Sequence, residues 1–585
     1  MKTLCLSRNE RTVAVCAALA LCLGARGLYA QWLTESFTLQ PGFNGIYLSV
    51  DASHQTIAEL MGGRTDIDEI WRWNPSNPGG TFIHEPANPK AGVEEWSVWR
   101  RGDPTNSTIA RLYGGFAYLV NVGADEAVTF DVQGQPKMPS HSWHYNGLNL
   151  FGFPVETDPP VSFADYFEAA PQLAQAETYK YVGGPLGQAN PVRVFNKSFE
   201  TLERGKAYWI KAEQYSDFYG PVRVSCGDGL RFGRAANVIA LYLTNRKDTA
   251  AEVTLKPVAS EAAPSGQTAV AGDVPLAIRG FDADAGTWVY EAIPAEGHAF
   301  TLAPREGKRL NIAVNRVLMA AAPASVYQSI LRITEHHGLT RIDVPVSAEV
   351  DSPAGLWIGA ASVGRVQNQL QRFEVDANGE PVQNPDGSYA LDPAETDTGL
   401  HTTAQTFPLR LIMHVDDGGN ARLLSTAYVG VLASNGEPGV TDAEATLDAT
   451  TLADAVHVSA AHLPPGPALM PSAGDGFPTS LEYEVTLGYT HSHNPFVHQF
   501  HPLHDNRDAR FETTLAEGRE SWDITRTISL TFTTDASAIG VTHPGWGSTV
   551  VGGTYVETID GLHKNSITNQ GTFVLTRVAE YATFE

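Results

Sequence analysis

The sequence predicts an all-β, multidomain protein made of antiparallel sandwiches or barrels, on three observations. The chain has 585 residues, enough for three or four domains of the usual ~100–200 residues. Glycine and proline are abundant, at 54 and 36 residues, so turns are frequent. Between the turns run short segments in which apolar and polar residues alternate, the period of a half-buried strand. With 43% hydrophobic residues, and aromatics spread along the whole chain, the composition is that of a folded protein.

Residues 1–30 stand apart. Lys2, Arg8 and Arg11 form a basic start, an apolar run follows from Val13 to Leu23, and Ala30 before Gln31 offers a small-residue cleavage point. This is a secretory signal peptide pattern, with an apolar run too short to span a bilayer. The expected location is secreted, extracellular or at the cell surface, with the periplasm as an alternative. Cys5, Cys16 and Cys22 leave with the leader, so Cys226 is the one cysteine kept and no intrachain disulfide can form. An exported chain without disulfides must rely on large cores. Removing the leader takes the formal charge from −25 to −28, with 36 basic against 64 acidic residues. Such a surface repels nucleic acid and anionic membranes. Beyond the leader, no apolar stretch approaches the ~20 residues of a membrane span.

Residues 31–225 read as a duplicated small β-domain, 31–135 and 136–225. Pro41-Gly-Phe43-Asn44-Gly45-Ile46-Tyr47-Leu48 echoes Trp143-His-Tyr145-Asn146-Gly147-Leu148-Asn149-Leu150. Gly115-Phe-Ala117-Tyr118-Leu119-Val120 echoes Gly205-Lys-Ala207-Tyr208-Trp209-Ile210, and Trp71-Arg-Trp73 echoes Tyr179-Lys-Tyr181. Helical patches are expected near Ile57–Met61 and Phe163–Ala169. The opening aromatic-Asn-Gly and closing Gly-x-Ala-Tyr-Trp marks resemble a module of large exported proteins of environmental bacteria, a resemblance that implies no defined activity.

Residues 226–350 read as one β-sandwich. Val238–Leu243 is an apolar strand, Asn245-Arg-Lys-Asp248 a turn, and Ala251-Glu-Val253-Thr-Leu255 alternates after it. Leu243-Thr-Asn245 and Leu302-Ala-Pro304 with Gly307 resemble the bacterial immunoglobulin-like modules related to abnormal-spindle and hydin domains. That resemblance implies a spacer or binding platform.

Residues 351–585 read as a C-terminal antiparallel β-domain. Arg410–Val415 and Ala421–Val431 flank Asp416-Asp-Gly-Gly-Asn420, a hairpin pattern, and 435–480 is expected to be a long Pro/Ala/Gly-rich loop. Later strands are expected at Leu481–Tyr489, Ile524–Thr533, Thr554–Ile559 and Gly571–Val578. Gly355-Leu-Trp357-Ile-Gly359, Asn494-Pro-Phe, His501-Pro with His504-Asp505-Asn506, Trp522-Asp-Ile-Thr-Arg526 and Gly553-Thr-Tyr555-Val-Glu557-Thr-Ile resemble a C-terminal β-domain of large exported bacterial proteins, which again implies no activity.

Two sets of residues are candidates for chemistry. The first is His491, His493, His498, His501, His504, Asp505 and Asp508, with five of the eighteen histidines inside fourteen residues. Imidazoles at i and i+2 of a strand can chelate one divalent metal, and the aspartates can serve as hard ligands or acceptors. The same imidazoles can instead bond backbone carbonyls and brace a loop, and a catalytic metal would further need an open position and a base. The resembled family places an acidic residue after the Pro of His-Pro, where this chain has Leu503. The second set is aromatic: Trp71, Trp73, Trp96, Trp99, Tyr208 and Trp209 suit stacking on sugar rings if exposed and core packing if not. Because Tyr208 and Trp209 are consecutive in a strand, one of them is expected to face solvent. His336-His337 is expected in a solvated turn; Asp376-Ala-Asn378-Gly379 and Asp416-Asp417-Gly-Gly-Asn420 carry calcium-like oxygen donors, and are expected to be turns that need the same residues for backbone reasons.

No His-Glu-x-x-His or Gly-x-Ser-x-Gly motif occurs. The expected function is non-enzymatic: an exported binding or adhesion-type protein for an extracellular polysaccharide or surface protein. A metal-dependent hydrolase built on 491–508 and a structural envelope component are the alternatives.

Overall fold

The structure, a computed structural model, describes residues 31–74, 89–144, 147–319, 321–368, 372–424, 426–432, 438–441, 455–462, 480–488, 523–543, 545–561, 566–580 and 583. It is an all-β, multidomain fold of mostly antiparallel sheets, with three short α-helices at Ile57–Met61, Phe163–Tyr166 and Pro171–Ala174 among the described residues. Two compact units divide the chain. One comprises Met1–Arg279, Glu291–Val314 and Ser325–Glu349; the other comprises Gly280–Tyr290, Asn315–Ala324 and Val350–Glu585.

In the first unit the duplication is visible as two four-stranded sheets. Strands Gly42–Tyr47, Ala117–Val122, Ile67–Trp73 and Trp96–Arg100 make one sheet, and Gly147–Phe151, Tyr208–Ala212, Thr178–Lys180 and Val192–Arg193 make the other. The expected pairing of Trp71-Arg-Trp73 with Tyr179-Lys-Tyr181 matches the register: Trp71 lies opposite Leu119, and Tyr179 opposite Trp209, the same places in each copy. The opening motif needs a correction. Gly42 pairs with Val122 as Gly147 pairs with Ala212, so Asn44 corresponds to Asn149 and not to Asn146. The physical reason is the side-chain amide. Asn44 donates to the Gln40 and Gly42 carbonyls and accepts from the Gln40 N–H. Asn149 likewise donates to the His144 and Gly147 carbonyls and accepts from the His144 N–H. The tyrosines of the closing motif repeat as well. The Tyr118 hydroxyl accepts from the Tyr113 N–H at 2.8 Å, and the Tyr208 hydroxyl from the Glu203 N–H at 2.9 Å.

Both expected helical patches form, each started by a hydroxyl cap. Thr56 Oγ1 accepts from the Glu59 N–H, while the Glu59 carboxylate accepts from the Thr56 N–H, a closed capping box. Ser162 Oγ accepts from the Asp165 N–H in the second copy. The second patch is shorter than expected. It ends at Tyr166, and a new turn begins at Pro171, where a missing N–H is harmless.

The sandwich that follows the repeats in sequence has two five-stranded sheets. One runs Val222–Ser225, Val238–Asn245, Gly307–Val314, Leu276–Asp282, Thr287–Ala292; the other runs Leu230–Gly233, Arg341–Glu349, Val326–Glu335, Ala251–Ala259, His298–Leu302. Its first strand therefore starts before residue 226. Asn245, fully buried, ties the sheets at one end. Its amide donates to the Thr249, Leu302 and Ala303 carbonyls and its oxygen accepts from the Lys247 N–H. The two sequence marks around Leu243 and Leu302 thus meet at one structural amide.

In the second unit, seven antiparallel strands run in the order Ala421–Leu424, Leu400–Val415, Gly355–Gln367, Ile567–Ala579, Val550–Asp560, Ile524–Phe532, Ser480–Leu487. The sheet is a near-closed barrel. Ala421 and Leu423 of one edge strand share a core with Leu481, Tyr483, Val485 and Leu487 of the other. A separate three-stranded sheet, Pro438–Thr441, Thr426–Leu432 and Ala455–His462, corrects the long loop expected over 435–480. Its alanine-rich composition hid the alternation of Val456 and Val458.

Candidate functional site

The aromatic candidates are all buried. Trp71, Trp73, Trp96 and Trp209 join Tyr47, Leu119, Leu148, Leu150 and Tyr181 in one core between the two repeats. Trp73 lies 5.4 Å from Trp96 and 5.7 Å from Trp209, ring to ring, with tilted or edge-on geometry. The Trp209 indole N–H donates to the Tyr181 hydroxyl at 2.8 Å, and that of Trp71 to the Glu69 carboxylate at 2.9 Å. Trp99 packs on the opposite face of its sheet, with Ile70, Tyr118 and Val120. The expectation that either Tyr208 or Trp209 faces solvent is overturned. Trp209 enters the core between the repeats and Tyr208 a second core with Phe163, Tyr166 and Phe167, because this sheet is covered on both faces.

His491, His493, His498, His501, His504, Asp505 and Asp508 lie outside the described residues. No group of His, Cys, Asp and Glu able to hold a metal occurs among the described residues. His336 and His337 sit in a turn as expected, exposed, with His337 Nδ1 3.0 Å from Glu335 Oε1. The Asp376 carboxylate accepts from the Asn378 and Glu380 N–H groups, and that of Asp416 from the Asn420 N–H. Both turns thus use their acidic groups on their own backbone.

A groove of about 540 Å³ lies in the first unit, on the outer face of the sandwich. The register builds its floor. Thr254 is paired with Ala299 on one side and Thr334 on the other, and Glu252 with Thr301. The segment Glu156, Asp158 and Pro159 of the second repeat forms its wall. That segment is held by a hydrogen bond from the Glu156 N–H to the Gly338 carbonyl at 2.9 Å and by an Arg341–Glu156 ion pair at 3.2 Å. Gly338 allows the close approach: at φ 74° it turns the chain, and a Cβ there would sit 2.9 Å from the Pro159 carbonyl oxygen.

Four carboxylates line this groove, and they differ in how they are compensated. Glu335, its side chain fully buried, accepts from the His337 and Leu339 N–H groups. Glu156 faces Arg341. Asp158 and Glu252 have no side-chain hydrogen bond or ion pair among the described residues. With the Thr254, Thr301 and Thr334 hydroxyls, the groove presents two exposed carboxylates free of protein partners among the described residues, beside a hydrogen-bonding floor. It can hold ammonium or guanidinium groups and sugar hydroxyls, and it disfavours phosphate, sulfate and uronate. Sequence reading missed these residues because their segments are scattered between 156 and 335, and nothing local marks them.

The barrel of the second unit holds a second polar cluster that reading by motif did not assemble. Arg526 Nε donates to Glu557 at 2.6 Å, the Tyr555 hydroxyl donates to the same carboxylate at 2.9 Å, and Asn569 lies within 3.4 Å. Glu557 is buried and fully partnered, so this set braces the barrel wall.

No family model matches the chain, and no curated protein matches it. Among solved structures, the crystal structure of the E. coli chaperone DraB aligns at 11% identity over 38% of this chain and 95% of that chain, with a TM-score of 0.14. A likeness at that score establishes no shared fold.

Proposed function

We propose that the protein is an exported, non-enzymatic binding protein of the cell surface or extracellular space, and that the groove beside Asp158 and Glu252 is where it holds its ligand. One observation carries this reading: a groove of about 540 Å³, in the size range of ligand sites, lined by two exposed carboxylates without protein partners among the described residues and by three threonine hydroxyls. The ligand chemistry that suits it is an extracellular polymer bearing amine or guanidinium groups, whether an amino-sugar polysaccharide or a basic segment of a surface protein. Electrostatics favours the encounter, since the formal charge is −25 for the full sequence and −28 without residues 1–30.

The test is retention of the exported chain on immobilised polymers of defined charge. Chitosan and polylysine are expected to retain it at low salt, and dextran sulfate to leave it in the flow-through. Asp158→Asn with Glu252→Gln is expected to release it from both cationic supports. Equal retention of the double variant, or turnover of any polymer, would overturn the reading.

A further inference from the structure

We propose that Arg204 is a positioning residue. It locks the two repeats and the sandwich into one body and thereby fixes the width of the groove. The lock is read from geometry alone; only its consequence for ligand retention rests on the function proposed above.

Arg204 stands where three β-domains meet. One nitrogen of its guanidinium donates to Ser49 Oγ of the first repeat at 3.1 Å and lies 3.6 Å from the Glu35 carboxylate. The same nitrogen lies 3.5 Å from Asp343 of the sandwich. The other terminal nitrogen donates to the carbonyls of Val155, in the second repeat, and Arg341, in the sandwich, each at 3.4 Å. All of these partners are well covered, with side-chain exposures of 14% for Arg204, 10% for Glu35 and 4% for Asp343. Asp343 is in turn gripped by Arg332 at 2.6 Å and faced by Arg341 at 3.6 Å, and Arg341 reaches on to Glu156 in the groove wall. A continuous chain of charges therefore runs from the first repeat, through Arg204 and Asp343, to the wall.

The tip of the wall, residues 157–160, is exposed between Val155 and Val161, which are buried in the core of the second repeat with Leu339 of the sandwich. Backbone hydrogen bonds from the Glu156 N–H to Gly338 and from the Arg341 N–H to Pro154 at 2.7 Å hold its base, and the charged chain adds the side-chain arm that orients it. Planar guanidinium groups suit this task, because each fixes several oxygens in one geometry. Buried ion pairs are weak evidence for stability, and their best-attested use is to specify one arrangement among several. Fixing one mutual placement of three domains is such a use.

The experiment is a pulsed electron–electron resonance distance between nitroxides at Thr157→Cys and Thr301→Cys, both exposed, in a Cys226→Ser background of the exported chain, paired with scanning calorimetry. The parent is expected to give one narrow distance and a single transition for the repeats and sandwich together. Arg204→Met is expected to broaden the distance and split that transition in two, and Arg204→Lys to do so partially. Should Arg204→Met fail to fold, Glu156→Gln, which removes only the wall's own arm, is expected to broaden the distance alone. A distance unchanged in every variant that folds overturns the lock, whatever polymer the protein retains. Loss of polymer binding with an unchanged distance would count against the lock and leave the groove reading standing.

Discussion

The first unit has two joints of opposite chemistry. Between the repeats the joint is aromatic: Trp71, Trp73, Trp96 and Trp209 interlock, and Gly45 lets the strands close up, since a Cβ there would sit 3.0 Å from the Tyr181 ring and 3.1 Å from the Ala207 carbonyl. Between repeats and sandwich, Leu339 joins the core of Phe153, Val155 and Val161, and the joint adds what the other lacks, a buried ion network of Arg204, Asp343, Arg332, Arg341, Glu35 and Glu156. The contrast teaches a division of labour. An apolar joint gains free energy in proportion to the area it hides and tolerates small adjustments. A charged joint gains little net energy but admits few geometries. With Cys226 the one cysteine among the described residues, the first unit uses the first to hold together and the second to aim.

The largest expected effect lies in the aromatic joint. Trp209→Ala removes a fully buried ring and leaves the Tyr181 hydroxyl without its donor, and is expected to cost about 4 kcal/mol in denaturant unfolding. In the ionic joint, Asp343→Ala leaves three guanidinium groups facing one another and is expected to cost about 3 kcal/mol. If Asp343→Ala proved the more damaging, the division of labour would be reversed.

Acid should separate the joints in the less intuitive order. His141 is buried against Phe151 and Tyr47, with Nε2 3.0 Å from the Gly152 carbonyl oxygen, and burial pushes its pKa down to about 4. The unfolded chain therefore binds a proton that the folded chain refuses. Stability is expected to fall as pH drops from about 6.5 towards 4, by on the order of 3 kcal/mol at most. Asp343 behaves differently. Burial pushes its carboxyl up, but the hydrogen bond from Arg332 and the charges of Arg204, Arg332 and Arg341 outweigh that and hold it below the usual carboxylate range. Its contribution is complete above the ordinary aspartate pKa of about 3.9 and is lost only as pH falls below it. The repeat joint is thus expected to loosen before the ionic lock, and His141→Gln to flatten the profile between pH 4 and 6.5. A profile unchanged by His141→Gln would place the acid sensitivity elsewhere.

The smallest effect sharpens the comparison between the copies. Thr56→Ala and Ser162→Ala each remove a helix cap and are each expected to cost about 1 kcal/mol. Near-equal values would show that the duplication kept its energetics as well as its shape.

What the sequence disclosed follows from where information is local. The alternation of Leu481, Tyr483, Val485 and Leu487 is written in consecutive residues, and those side chains line the barrel core as expected. The same holds for Trp71-Arg-Trp73 and Tyr179-Lys-Tyr181. The opening motif was misaligned by three residues because two Asn-Gly pairs look alike as letters, whereas the chain uses the amides of Asn44 and Asn149. Strand alternation alone puts one of Tyr208 and Trp209 in and the other out, which holds only for a sheet with one wet face. The groove was invisible, because Asp158 and Glu252 acquire their meaning from docking a repeat on a sandwich face.

The central claim is that this docked face binds a cation-bearing ligand. Isothermal titration of the protein with hexalysine at low salt tests it most directly. The account predicts saturable binding that weakens about tenfold in Asp158→Asn with Glu252→Gln, as expected for losing two partly exposed ion pairs, while the melting temperature stays unchanged. No binding, or binding indifferent to both substitutions, would contradict it.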